Sequence, residues 1–373
     1  MEYVQMEKLG AKVSRLGFGC MRLPLTPQGE IDEPRAAKMF DRAYKAGVNY
    51  FDTAYFYHNR TSEAFVGRAL KAYPRESFYL ATKLPLSIIG SREEAEQIFE
   101  GQFKTMQVEY FDFYLLHCIN EKNWKKVKDF GLIDYLVEQQ KAGRIRYLGF
   151  SFHDRYELFE EIMNTRDWDF CQIQLNYMDT EIQAGMKGYE LATSRGVPVI
   201  VMEPVKGGSL ATLGDDIADI FRKARPDKSV ASWAMRWVAD LDNCKVILSG
   251  MTNEEQVEDN LATFSKPEPL SQREKEVIEE VRREITARTF VGCTDCKYCM
   301  PCPFGVDIPQ NFRIMNTYAK YSNENALAWN WSEMEEGARA DQCQGCGKCE
   351  TACPQSIAIR EKLQEIAAHM AKK

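Results

Sequence analysis

Eight of the chain's twelve cysteines fall in two short runs, and each run ends in Cys-Pro. The first run is Cys293, Cys296, Cys299 and Cys302, ahead of Pro303; the second is Cys343, Cys346, Cys349 and Cys353, ahead of Pro354. The second run reads C-x2-C-x2-C-x3-C-P, a spacing in which three thiolates on one tight turn wrap a cubic iron–sulfur cluster. The proline then turns the chain away, so that the fourth thiolate reaches a different cluster. The first run departs by one residue, C-x2-C-x2-C-x2-C-P. The pattern therefore points to two 4Fe-4S clusters with exchanged fourth ligands. Cys293, Cys296 and Cys299 would share one with Cys353, and Cys343, Cys346 and Cys349 the other with Cys302. Zinc and a disulfide framework are the competing readings. Zinc calls for two C-x2-C pairs separated by a knuckle of roughly 15–20 residues.

A second constellation lies upstream. Asp52, Lys83 and His117 each stand at the end of an apolar, β-rich run, and Tyr57 follows Asp52 by a few residues. A tyrosine is a poor proton donor at neutral pH unless its phenolate is stabilised. A neighbouring lysine cation lowers its pKa, an aspartate holds the lysine, and a histidine orients a carbonyl or shares the proton. Together they could protonate a carbonyl oxygen while hydride arrives at carbon. The plainer alternative is an ion pair, Asp52 with Lys83, and two space-filling rings. His58 and His153 also follow such runs and suit supporting or surface positions.

The elements that must position these groups recur regularly. Apolar runs occur at Ser14–Met21, Val48–Thr53, Phe78–Lys83, Phe111–His117, Ile145–Phe152, Phe170–Tyr177, Val197–Met202 and Lys245–Gly250. Between them, helical periodicity marks Pro34–Ala46, Thr61–Ala72, Arg92–Met106, Leu132–Ala142, Arg155–Met163, Glu181–Ser194, Asp227–Ala239 and Asn253–Thr263. Ser91 and Thr252 are candidate N-caps, and Ala46-Gly47 and Ala142-Gly143 are helix ends. Eight strands alternating with helices, each apolar enough to be buried on both faces, predict a (β/α)8 barrel, with Met1 to Val13 as a hairpin on its floor. An open doubly wound sheet is the weaker choice, since no Gly-x-Gly-x-x-Gly turn follows a strand. The expected domains are the barrel at 1–270, a linker helix at 271–289 and a small cysteine-bearing domain at 290–373. Within the last, Val306–Tyr321 and Ile359–Lys373 have helical character, and Ala328–Trp331 carries two tryptophans.

Bulk properties bound the partners. Net charge is −7 with no dominant basic run, which argues against nucleic acid. No apolar stretch reaches the roughly 20 residues that span a bilayer, and Met1 to Gly10 has no signal-like character. Iron–sulfur motifs without a secretion signal suit a reducing cytoplasm. Cys20, Cys118, Cys171 and Cys244 lie in or beside apolar runs and are expected to be buried thiols.

Over roughly residues 1–265 the sequence resembles the aldo-keto reductase family. Phe51-Asp-Thr-Ala54 with Tyr57 and Ser62-Glu63 is similar to that family's aspartate and tyrosine segment. Ala81-Thr-Lys83 is similar to its lysine strand, and Tyr114-Leu-Leu-His117 to its histidine strand. The C-terminal region resembles the subgroup that carries a ferredoxin-like extension. The resemblance implies a nicotinamide cofactor, NAD(P)(H), held by residues at Ser151, Gln172, Met202, Gly250, Gln256 and Asn260. Only some of these have the family's residue type. Phe152 replaces the asparagine beside the carboxamide serine, and Met202 stands where a tyrosine usually stacks on the nicotinamide. Gly250 and Gln256 replace basic residues that hold the 2′-phosphate of NADP, and a guanidinium binds phosphate far better than an amide.

Nicotinamide passes a hydride pair and clusters pass single electrons, so joining them normally calls for a flavin. Three readings follow. The barrel is a nicotinamide-linked carbonyl or alcohol oxidoreductase whose clusters serve a ferredoxin-like redox partner; or it holds a flavin fed through the clusters; or the chain is a non-enzymatic electron-transfer module. An intact tetrad argues against the last. For electron transfer, one cluster would have to lie near the strand ends, beside Trp329-Asn-Trp331. The substrate is not encoded legibly, because loops on this scaffold vary freely.

Overall fold

The computed structural model describes residues 1–293 and 295–372. Two compact units are present, one made of residues 1–206 and 232–270 and the other of residues 207–231 and 271–373.

In the first unit, a short antiparallel hairpin, β1 (Tyr3–Met6) and β2 (Ala11–Ser14), precedes eight parallel strands. These are β3 (Leu16–Gly19), β4 (Tyr50–Asp52), β5 (Tyr79–Leu84), β6 (Phe111–Ile119), β7 (Ile145–Phe152), β8 (Phe170–Gln174), β9 (Val199–Met202) and β10 (Cys244–Gly250). They pair in chain order, and β10 closes the barrel by pairing with both β9 and β3. Every apolar run identified in the sequence supplies one strand. Side chains fill the interior: Tyr50, Phe113, Phe170, Ile200 and Val246 cluster with Met6, Ala11 and Val13 of the hairpin, which plugs the N-terminal end. Gly17 is required by this packing, since a Cβ there would stand 2.6 Å from Val246 Cγ1.

The helices follow the strands with small differences from the sequence reading. Asn253, and not Thr252, caps the helix Glu254–Thr263, because its side chain accepts from Gln256 N. Ser91 caps Arg92–Met106 as expected. Between the barrel strands, two helices escaped the periodicity: Glu121–Asp129, whose apolar face is only Trp124 and Val127, and Asp215–Ala224. Cys20, Cys171 and Cys244 are buried, whereas Cys118, beside a register shift in its strand, is only partly buried.

In the second unit, Gln272–Ala287 starts with a capping box, Ser271 with Glu274, and packs against Asp215–Ala224. Ion pairs join the two helical regions, Arg225 to Glu274 at 3.0 Å and Arg288 to Asp216. The cysteine region contains the helices Ile308–Tyr321, Glu324–Ser332, Lys348–Ala352 and Ile359–Met370. Lys373, the end of the expected tail helix, lies outside the described residues. Val306, Ile308, Phe312, Ile359, Leu363 and Ile366 form a small core, with cysteines of both runs packed on it. Among the described residues no helix is long and apolar enough to cross a membrane.

Candidate functional site

Lys83 stands near the end of β5 with its side chain fully buried. Its Nζ donates to Asp52 Oδ1 and to the Thr53 carbonyl, each at 2.7 Å. Asp52 ends β4, one strand over, so parallel pairing alone brings the two together. Burial pulls the lysine pKa down, but the Asp52 carboxylate and Tyr57 outweigh it, and the ammonium ends above its ordinary value. Asp52 Oδ2 is buried without a partner.

Tyr57 is carried by a turn after β4 in which His58, Asn59 and Arg60 all take positive φ, at 49°, 51° and 71°. Such angles are strained for residues with a Cβ, by roughly 1–2 kcal/mol each, and concentrate at functional loops. Hydrogen bonds hold the turn: Tyr57 N donates to Ala54 O, Arg60 N to Tyr57 O, and Leu23 N to His58 Nε2. The turn sets the Tyr57 ring 5.0 Å from Lys83 Nζ and 6.2 Å, edge-on, from the His117 ring. Burial raises the phenol's pKa and the lysine charge opposes that rise. The net direction is upward, contrary to the expectation from the lysine alone, because desolvation is the larger effect. The phenol thus stays protonated at neutral pH.

His117 owes its position to a β-bulge. Leu116 pairs with Phe150 and Ile119 with Phe152, so two residues of β6 oppose the single residue Ser151 of β7. Cys118 takes up the kink at φ 57° and its N–H donates to Ser151 Oγ at 2.8 Å. Burial, with the Lys83 charge and His153, holds the imidazole pKa well below its ordinary value. At neutral pH it is uncharged and has one donor and one acceptor nitrogen.

Two supporting networks had, Glu63 of the tyrosine segment apart, no signal in the sequence. Behind Lys83, Glu63 accepts from Thr82 Oγ1 and Gln102 Nε2, both at 2.6 Å. Gln102 Nε2 also donates to the Lys83 carbonyl, and Tyr114 donates to Gln102 Oε1. Beyond β8, the buried Asp179 accepts from Gln174, Asn176 and Lys206, with Lys206 Nζ at 2.6 Å. Long-range polar closure of this kind has no local spacing to read.

Of the residues matched to a nicotinamide site, Ser151, Met202 and Gly250 stand at or beside the ends of β7, β9 and β10, Gln172 lies within β8, and Gln256 and Asn260 are on the helix Glu254–Thr263. Gln172 donates through Nε2 to Met202 Sδ at 3.4 Å, while its Oε1 is buried and unpartnered. Ser151 accepts from Cys118 and keeps its own hydroxyl proton free to donate. An amide has both a donor and an acceptor to offer such a pair, so these residues fit a carboxamide. Asn260 donates to Ser249 Oγ at 2.8 Å. Gln256 accepts from Thr252 N, and the Arg22 stem lies against Gly250.

The eight motif cysteines divide between two cavities. One is lined by Cys293, Cys296, Cys299 and Cys353; the other by Cys302, Cys343, Cys346 and Cys349, and Cys299 lines this one as well. Each cavity thus gathers three thiols from one run and at least one from the other. The donor set, thiols only, suits iron–sulfur ligation. Asp295 N–H points at Cys293 Sγ at 3.5 Å, a contact of the kind that stabilises a cluster thiolate. Among the described residues no three Cys, His, Asp or Glu converge as a single metal ion requires.

A closed parallel barrel with polar groups at its strand ends defines the class: an α/β-barrel enzyme. Comparison with known proteins gives the family. The aldo/keto reductase family profile matches residues 15–283, and a 4Fe-4S dicluster domain profile matches residues 292–359. A probable aldo-keto reductase of Glycine max is 33% identical over 156 residues, which cover 40% of this chain and 44% of that protein. The L-galactose dehydrogenase of Arabidopsis thaliana and the NADH-specific methylglyoxal reductase of Escherichia coli are each 24% identical. They cover 73% and 71% of this chain, and 90% and 94% of their own lengths. Among solved structures, the holo form of a Bacillus halodurans aldo-keto reductase superposes with a TM-score of 0.64 at 25% identity, covering 75% of this chain and 96% of that one. The chain belongs to the aldo/keto reductase family and is an oxidoreductase with a C-terminal 4Fe-4S dicluster domain.

Proposed function

We propose that the barrel, residues 1–270, reduces a small carbonyl compound, or oxidises the corresponding alcohol, with a nicotinamide cofactor. The observation that carries this is the buried Lys83–Asp52 pair placed 5.0 Å from the Tyr57 ring. A bound reduced nicotinamide supplies the hydride. Tyr57 donates the proton to the carbonyl oxygen, and Lys83 offsets the phenolate charge that results. Asp52 keeps Lys83 charged and fixed. His117, being neutral, donates a hydrogen bond that orients the carbonyl. Ser151 and Gln172 hold the carboxamide, and Met202, Gly250, Gln256 and Asn260 take the remaining cofactor positions.

The segment 271–289 links the barrel to the cysteine domain at 290–373, whose clusters pass electrons singly to or from a ferredoxin-like carrier in a reducing cytoplasm. Cys293, Cys296, Cys299 and Cys353 ligate one cluster; Cys302, Cys343, Cys346 and Cys349 ligate the other. The gathering of thiols from both runs in each cavity supports this exchange. Iron and sulfide analysis should give about eight of each per chain. Cys353→Ala should disturb the cluster held mainly by the first run; a disturbance confined to the second-run cluster would refute the crossing.

Phe152, Met202, Gly250 and Gln256 favour a second reading, a barrel-bound flavin that collects electrons from the clusters. The spectrum of anaerobically purified protein separates the two. The nicotinamide reading expects broad cluster absorption alone, and a structured flavin band that persists on gel filtration would replace it.

A further inference from the structure

The two cysteine cavities share a helix and differ in what it gives them. Ile359, first residue of the helix Ile359–Met370, lines the cavity of Cys293, Cys296, Cys299 and Cys353. Arg360, the next residue, lines the cavity of Cys302, Cys343, Cys346 and Cys349. Successive side chains of one helical turn diverge by about 100°, so the helix start presents an apolar group to one thiol set and a guanidinium to the other.

Arg360 is anchored where it stands. Its Nε and NH2 donate to Glu350 Oε2 at 3.0 and 2.7 Å, and its backbone N donates to Glu350 Oε1 at 2.9 Å. Its Cζ approaches within 3.6 Å of where a Cβ on Gly347 would stand, and NH1 faces the Gly345 carbonyl at 3.5 Å. Gly345 and Gly347 flank Cys346, at φ 68° and 78°. The guanidinium therefore lies along the turn that carries the second-run thiols. Each cavity has one lysine on its wall, Lys297 in the first and Lys348 in the second, and Glu350, the partner of Arg360, offsets part of the guanidinium charge. Neither is lined by Asp or Glu among the described residues. The rest of the first wall is Ile308, Pro309, Phe312 and Ile357 with one amide, Gln355, and the second wall likewise joins apolar groups to one amide, Gln344.

We infer that Arg360 makes the two clusters inequivalent, raising the reduction potential of the one held by Cys302, Cys343, Cys346 and Cys349 above that of its neighbour. Accepting an electron makes a cluster more negative. A fixed cation beside it favours the reduced form, since net charge is one of the protein's levers on such potentials. A single electron reaching the domain comes to rest on the second-run cluster. Arg360 is thus a positioning residue for charge, with no contact to a reacting substrate. The inference rests on the cluster assignment proposed above.

The test is a redox titration of the full-length holoprotein followed by electron paramagnetic resonance. Wild type should show two separated midpoints. Arg360→Gln should lower the higher one, leave the lower in place and keep about eight irons per chain. Arg360→Lys should hold most of the wild-type separation, and Glu350→Gln, which removes the opposing charge, should widen it. The signal that moves should also be the one altered by Cys302→Ser and left alone by Cys353→Ser. Unchanged midpoints in an iron-replete Arg360→Gln protein, or equal movement of both, would overturn the inference while leaving the clusters standing. About four irons per chain in wild type would remove the cluster assignment itself, and the inference with it.

Discussion

Tyr57→Phe should lower the turnover of carbonyl reduction by roughly 10²–10⁴-fold, the usual consequence of losing a general acid. The phenol oxygen is the only atom removed. The ring and its packing beside Lys83 and His117 persist, so folding and cluster content should match wild type. Dinucleotide affinity should change little, because the phenol serves the substrate. His117→Ala should cost less in proton delivery and more in substrate affinity, since a neutral imidazole orients the carbonyl without supplying charge. Stopped-flow rates at saturating cofactor, with a separate cofactor binding titration, resolve these patterns. Full turnover in a folded, cluster-replete Tyr57→Phe protein would leave the tetrad as a structural ion pair with two rings beside it.

Lys83→Met should remove activity to a similar degree and also destabilise the barrel. The lysine is the charge partner of Asp52, whose other oxygen already lacks a hydrogen bond. Deleting one member of a buried pair typically costs roughly 3–5 kcal/mol, because the remaining charge stays desolvated and alone. Replacing both, Asp52→Asn with Lys83→Met, should recover much of that loss, since removing a whole buried pair is often nearly neutral. Activity should not recover. Denaturant unfolding monitored by barrel tryptophan fluorescence, together with turnover, separates the two effects. A double variant that regained both stability and turnover would contradict the role given to Lys83.

Much of this was legible because it depends on short-range rules. Strands buried on both faces read as apolar runs, and all eight were found, since each of the parallel strands is covered by helices outside and side chains within. Asp52, Lys83 and His117 stood out because strand ends on one barrel face must converge. The helix Glu121–Asp129 was not legible, since Lys122, Lys125, Lys126 and Lys128 swamp its two-residue apolar face. Nor was the bulge at His117 and Cys118, which is a property of register between β6 and β7 and not of either strand alone. The raised phenol pKa likewise depends on burial, which no neighbouring residue type announces. Asp179, Lys206 and Gln102 act through contacts closed across the fold, so their roles appear only once the strands are in place.

The account's central claim is hydride transfer from nicotinamide to a carbonyl in the barrel. The direct measurement is a single turnover of iron-replete protein with reduced nicotinamide deuterated at C4 and a panel of simple aldehydes and ketones, followed by mass spectrometry of the alcohol. The account predicts deuterium on the carbinol carbon, one per molecule of cofactor oxidised, and loss of that product in Tyr57→Phe. Alcohol formed without deuterium, while reducing equivalents pass through the clusters, would contradict it.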